Sequence, residues 1–222
     1  MLRHGQTDYN AASRMQGQLD TGLSDLGRDQ AIAAAEVLAK RQPLVIVSSD
    51  LRRALDTAVA LGERSGLPVL VDTRLRETHL GDWQGMTHLE VDAAAPGARL
   101  AWRDDARWAP HGGESRVDVA ARSMPLLAEL VADQTEWGSL EWGLDEPERP
   151  VVLVAHGGLI AALTAALLGL PVDNWPALGG MGNASWVQLS GHSHQAPDTA
   201  LDGIRWRLDV WNASAQVAND VL

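Results

Sequence analysis

The chain has 222 residues, 45% of them apolar and 21% charged, with a formal net charge of −11 and no cysteine. That length and composition suit one globular domain with a sizeable core, and the negative charge argues against nucleic acid or an anionic membrane surface as partner. The lack of cysteine excludes disulfides, thiolate metal sites and cysteine nucleophiles.

Residues 1–20 hold no secretory h-region, so the expected location is the cytoplasm. The chain opens MLRHGQTDYN, with Arg3, His4 and Gly5 standing where a first strand would have to end. From Leu23 the pattern LSDLGRDQAIAAAEVLAK predicts a helix with Ser24 as its N-cap. PLVIVSS, residues 43–49, reads as a buried parallel strand. DLRRALDTAVALGERSG then predicts a helix stopped at Gly66, and PVLVD, residues 68–72, a further strand. Residues 73–113, rich in Gly, Trp and His, read as irregular, with a lid-like part over about 82–113. A long helix is expected from Ser115, which has capping-box spacing to Asp118, as far as about Val131. EWGSLEWGLDEPERP, residues 136–150, reads as an exposed acidic loop with a small local duplication. VVLVAHGGLIAALTAALLGLP, residues 151–171, is about long enough to cross a bilayer, but His156-Gly157-Gly158 interrupts it; a buried strand, a turn and a helix over 158–168 fit better. ASWVQLS, 184–190, and IRWRLDVW, 204–211, alternate as the half-buried strands of a hairpin around the polar loop 191–203. Strands alternating with helices imply an α/β layered sheet, and no composition shift divides the 222 residues.

Common signatures are missing: the sequence has no P-loop, no H-E-x-x-H and no G-x-S-x-G. GGMGN, 179–183, follows no predicted strand and is a weak phosphate cradle, and the two histidines of HSH, 192–194, are too few for a structural metal site. What remains is position, because ligands of open α/β sheets sit at the carboxyl ends of strands. Arg3 and His4 stand at the first such end. Asp50, Arg52 and Arg53 follow the second strand, Arg74, Arg76, Glu77 and Thr78 the third, and His156 the fourth. Arginine forks match the oxygens of a phosphate monoester, and a neutral imidazole attacks phosphorus when its other nitrogen is fixed. A carboxyl group can protonate the leaving alkoxide, and no metal is required where arginines and histidines supply the positive charge. Each residue alone also has a plain reading as a solvated or surface side chain; His156, between an apolar strand and two glycines, is the hardest to set aside.

These residues resemble the histidine phosphatase superfamily, also called phosphoglycerate mutase-like. LRHGQTDYN resembles its R-H-G-x-T-x-x-N signature, SSDLRRALDTA its S-x-L-x-R-A-x-x-T-A segment and LRETHLGDWQG its L-x-E-x-x-x-G-x-W-x-G segment, with GGES and VAHGG as the remaining blocks. The resemblance implies a three-layer α/β sandwich with a mostly parallel central sheet, and one histidine phosphatase domain over 1–222. It implies His4 as the nucleophile that becomes phosphohistidine, Arg3 and Arg53 as phosphate clamps, His156 as the group that holds the phosphoryl, and Glu77 as acid and then base. Arg53 is chosen over Arg52 because the family's arginine directly precedes the alanine, and Asn10 and Gln16 are expected as further contacts to phosphate or substrate. Gly157 after the second histidine places the chain in the mutase-like branch rather than with acid phosphatases and phytases, whose residue there is Asp.

Longer stretches, among them RMQGQLDT, WAPHGGESRVDVAARS, NWPALGGMGNASW and GIRWRLDVWNASAQV, narrow the resemblance to members that act on a glycosylated phosphoglycerate. It implies metal-independent hydrolysis of the glucosyl, and by extension the mannosyl, ester in methylglucose lipopolysaccharide synthesis, with no cofactor and a homodimeric enzyme. A cofactor-dependent phosphoglycerate mutase, a broad-specificity phosphatase and a catalytically dead binding protein remain as alternatives. The small, polar Asn212–Leu222 tail disfavours the mutase, and the presence of His4, Arg53, Glu77 and His156 the binding protein. An apolar strand normally precedes R-H-G in the family, whereas only Met1 and Leu2 do so here; residues upstream are expected to be missing from this numbering, or the start codon to be misassigned. Trp83, Trp102 and Trp108 are candidates for either lid packing or sugar contact, His111 for the glycerate carboxylate, and Glu114 for a rival acid or a group at the following helix N-terminus.

Overall fold

The computed structural model describes residues 1–133, 149–193, 201 and 203–215. Six strands form one sheet in the order β3-β2-β4-β1-β5-β6, where β1 is Leu2–Arg3, β2 Val45–Ser48, β3 Val69–Val71, β4 Val151–Ala155, β5 Trp186–Ser193 and β6 Ile204–Ala213. The first four positions are parallel, β5 joins β1 antiparallel, and β5 and β6 form the expected hairpin. The sheet is therefore mixed, with its parallel half carrying the strand ends that matter.

Alternation along the central strands sends side chains to two cores. Val47, Leu153 and Ala155 meet α6 (Arg116–Asp133) and α7 (Gly157–Leu167), while Ile46, Val152 and Val154 meet α2 (Asp25–Leu38) and α3 (Arg52–Ser65). Helices thus cover both faces of the apolar strands, the three-layer arrangement that parallel strands require. Local signals set the helix ends: Ser24 Oγ accepts from Gly27 N, Gly66 closes α3 in the left-handed region at φ 70°, and Ser115 and Asp118 satisfy each other's backbone N–H. A Cβ on Gly27 would collide with the backbone of Gln6, so glycine there lets α2 approach the loop after β1.

Two expectations are corrected. Residues 73–113 are not irregular: they include α4 (His88–Ala94) and α5 (Ala98–Asp104), after the four-residue helix α1 (Asp8–Ala11) that follows β1. Thr87 and Glu90 form a reciprocal capping box, while α5 starts without a side-chain cap. Both helices are only seven residues long, shorter than the window of about 11 to 18 residues over which a helical apolar period can be recognised. Strand β5 also extends to Ser193, into the segment read as loop 191–203. No helix among the described residues is long and apolar enough to cross a membrane, and residues 151–171 divide into β4, α7 and a turn. The doubled EWG, His194 and the tail beyond residue 215 lie outside the described residues.

Candidate active site

The ends of β1 and β4 lie side by side. Arg3 pairs with Ala155 across the ladder, and His4 N donates to Ala155 O at 3.1 Å. His4 and His156 therefore follow adjacent strand ends, with ring centroids 5.1 Å apart. His4 is 3% exposed and His156 0%. Burial, reinforced by Arg3 and Arg53, holds the His4 imidazole well below its usual pKa, although its contact with Gly5 O pulls the other way. Burial does the same to His156, helped by Arg53, His4, Arg3 and Arg122. Both rings are neutral at pH 7.

In neutral His4, Nδ1 lies 2.7 Å from Gly5 O and must be the donor, which leaves the lone pair on Nε2. Arg53 Nε approaches that Nε2 at 3.3 Å. Arg53 is 1% exposed, and its outer nitrogens donate to Leu19 O at 2.8 Å and Gly17 O at 2.7 Å. Burial lowers its pKa to about 10, against the pull of Glu77 and Asp20, so it stays charged at neutral pH. Thr57 fixes this corner by accepting from Gly5 N at 3.1 Å and donating to Arg53 O at 2.7 Å. Arg3 donates to Met181 O, while its Nε is buried without a partner among the described residues.

His156 Nε2 lies 2.9 Å from Ser49 Oγ, and Ser49 Oγ accepts from Leu51 N at 3.3 Å. Having accepted from Leu51 N, the Ser49 hydroxyl can still either donate to Nε2 or accept from it, so this contact holds the ring in place without fixing its tautomer. Nδ1 is buried with no partner among the described residues.

Glu77 arrives from the segment after β3. Oε1 accepts from Thr78 N at 2.8 Å and Leu159 N at 3.1 Å, and Oε2 from Gly158 N at 3.1 Å. The carboxyl group thus rests on the N-terminus of α7, held by the Gly158 and Leu159 N–H groups. A Cβ on Gly158 would stand 2.5 Å from Glu77 Oε1, so this approach requires glycine. Arg122 braces the segment by donating to Arg74 O at 2.6 Å, Arg76 O at 2.7 Å and Glu77 O at 3.0 Å.

The structure brings Arg3, His4, Arg53, Glu77 and His156 to one rim. Asn10 and Gln16 stand one step behind it. Asn10 Oδ1 accepts from Thr7 in a capping box and from Asn183 Nδ2 at 3.0 Å, while Asn183 Nδ2 also reaches His4 O at 3.4 Å. Gln16 is buried; its Oε1 accepts from Thr7 Oγ1 at 3.0 Å and its Nε2 donates to Thr21. Arg52 is exposed, and its backbone N donates to Asp20. Glu114 turns back to Arg122 and His79 N. The His111 side chain is 92% exposed and pairs with Asp82, whose charge disfavours a substrate carboxylate there. Ser49, Thr57, Arg122, Met181 and Asn183 were missed. Ser49 and Thr57 lie inside a motif block, and Arg122, Met181 and Asn183 inside the longer stretches WAPHGGESRVDVAARS and NWPALGGMGNASW, but none of the five was given a role. Among the described residues, no group of three or more His, Asp or Glu side chains could hold a metal ion.

The profile of the histidine phosphatase superfamily (branch 1) matches residues 1–199. Glucosyl-3-phosphoglycerate phosphatase of Mycolicibacterium vanbaalenii is 83% identical over 223 residues, covering 100% of this chain and 97% of its own. The protein of the same name in Mycobacterium tuberculosis is 79% identical over 222 residues, with the same coverage. A solved structure of mycobacterial glucosyl-3-phosphoglycerate phosphatase with VO3 superposes with a TM-score of 0.89 at 78% identity, covering 96% of this chain and 98% of that one.

Proposed function

This chain belongs to branch 1 of the histidine phosphatase superfamily, and we propose that it hydrolyses the phosphate monoester of glucosyl-3-phosphoglycerate, and of the mannosyl analogue, through a phosphohistidine. The carrying observation is the pair of buried, neutral imidazoles 5.1 Å apart, flanked by Arg3 and Arg53 and facing a carboxyl group on the α7 N-terminus.

In the first half-reaction His4 Nε2 attacks phosphorus and the bond from phosphorus to the ester oxygen breaks. Arg3 and Arg53 hold the non-bridging oxygens, and His156 Nδ1–H donates to one of them as charge spreads over the group. Glu77, protonated, gives its proton to the departing oxygen. In the second half-reaction the Glu77 carboxylate takes a proton from water as the water oxygen attacks phosphorus, and the N–P bond breaks to release phosphate and neutral His4. Asn10 and Gln16 hold the phosphate-binding loop from one step behind the rim. The reading extends to a single domain with a lid over about 82–113, acting without metal or cofactor in the cytoplasm, in methylglucose lipopolysaccharide synthesis. It also includes a homodimer, supported by Leu70 and Val71, both about half exposed on the sheet-edge strand β3; light scattering at a monomer mass would remove that part.

The test is phosphate release in excess chelator, wild type beside His4→Ala, with glucosyl-3-phosphoglycerate and 3-phosphoglycerate offered separately. The expected result is rapid, His4-dependent release from the glucosylated ester. Isomerisation of 3-phosphoglycerate without release would make the protein a mutase instead.

A further inference from the structure

His4 and His156 follow paired strand ends and Arg53 stands on α3, but Glu77 comes from residues 76–80, which belong to no helix or strand. Backbone groups of such a segment must find partners outside a ladder. Here they find an ion pair at α6. Arg122 Nη1 donates to Arg74 O at 2.6 Å, and Nη2 donates to Arg76 O at 2.7 Å and Glu77 O at 3.0 Å. Its Nε donates to Glu114 Oε1 at 2.9 Å. Glu114, just before α6, is tied to the chain beyond Glu77: its N donates to His79 O at 2.8 Å, and its Oε2 accepts from His79 N at 2.8 Å. Gln18 Nε2 gives Glu77 O a second donor at 3.0 Å. One guanidinium fork thus serves three carbonyls and a carboxylate at once, a geometry that a lysine ammonium does not reproduce. The side chains of Arg122 and Glu114 are only 23% and 25% exposed, so the pair is not a solvent-screened surface contact.

We propose that Arg122 and Glu114 are positioning residues for the general acid, holding the main chain on both sides of Glu77 so that its carboxyl group stays against Gly158 N and Leu159 N. The inference rests on the functional reading above, in which Glu77 protonates the leaving oxygen. Arg122 and Glu114 act through Glu77 and not on the ester. The consequence is selective. Protonation of a poor leaving group suffers from a misplacement of about 1 Å, whereas transfer from an activated aryl ester to His4 needs no such proton. Glu114, a rival acid on sequence grounds, is committed to Arg122 and His79 instead.

The experiment measures kcat/KM, which covers the chemistry only as far as release of the leaving group. It compares p-nitrophenyl phosphate with the better alkyl ester of the wild type, glucosyl-3-phosphoglycerate or 3-phosphoglycerate. The readout is the ratio of alkyl to aryl ester for wild type, Glu77→Gln, Arg122→Gln, Arg122→Lys and Glu114→Gln. Arg122→Gln is expected to lower the ratio by about 10- to 100-fold, with Arg122→Lys and Glu114→Gln shifting it the same way by less. Added to Glu77→Gln, Arg122→Gln should change the ratio by less than about threefold, because the group it positions is already gone. Equal losses on the two esters, or a full further loss in the double variant, overturn the assignment and leave the pair a structural brace. If circular dichroism shows Arg122→Gln unfolded, Arg122→Lys and Glu114→Gln decide on the same ratio. A Glu77→Gln protein that loses both activities equally sinks the acid reading and the positioning role with it. A selective Glu77→Gln beside unselective Arg122 and Glu114 variants sinks the positioning role alone.

Discussion

Two clusters of buried side chains stand close in this molecule, and burial means opposite things in them. At the rim, His4, Arg53 and His156 are buried polar groups, each fixed by backbone or hydroxyl partners such as Gly5 O, Gly17 O and Ser49 Oγ. In the neighbouring segment, Leu80, Trp83 and Val91 join Met15, with Met86, Trp102 and Trp108 against them, in a small apolar core. Trp83 and Trp108 stack there at 5.3 Å. Burial opposes every charge at the rim, so it persists there only with partners and a task; in the tryptophan cluster burial is the stabilising term itself.

The sharpest break between the two comes at His4. His4→Ala is expected to lower turnover by about 10⁴-fold or more and to abolish the phosphoenzyme trapped by denaturant at alkaline pH from an ester carrying radioactive phosphorus. A labelled protein that survives the substitution would remove the nucleophile from the rim. Glu77→Gln follows, with a loss of about 10²- to 10⁴-fold on the sugar ester and a much smaller one on p-nitrophenyl phosphate, whose leaving group needs no proton. Equal losses on both would assign Glu77 a structural task. Trp83→Ala probes the other cluster: urea unfolding should show about 3 kcal/mol of lost stability, with the preference for glucosylated over plain phosphoglycerate unchanged. A selective loss of that preference would make the cluster a sugar site after all.

The smallest effect is in pH. Both histidines have pKa values depressed by folding, so the unfolded chain takes up protons below about pH 6.5 that the folded chain refuses. Their contribution is fully present above that value and is lost as pH falls, at up to about 1.4 kcal/mol per pH unit for each ring. Urea titrations at pH 7.5 and 5.5 should show a shallower decline for His156→Gln than for wild type. Identical declines would mean that the folded protein accepts the proton at His156.

The rim was largely legible in the sequence, because each of its groups follows an apolar strand directly or within a short turn: Arg3 and His4 after Leu2, Arg53 after Val45–Ser48, His156 after Val151–Ala155. The helices between these strands were legible too, since α2, α3 and α6 are long enough for their caps and periodicity to agree. The tryptophan segment was not. Its helices are seven residues each, and their apolar partners include Met15, which lies far away along the chain.

By itself the sequence determined which chemistry was present: two imidazoles, paired arginines and one carboxyl group at strand ends, in motifs shared with a family. Only the tertiary structure decided which ring nitrogens have fixed partners, that Glu77 sits on the α7 N-terminus through Gly158, and that Asp82 stands beside His111. Those facts depend on pairs of residues as far apart as 107 positions in the chain, as Ser49 and His156 are. Side-chain protonation and charge balance follow from such neighbours, and strand or helix periodicity carries no record of them.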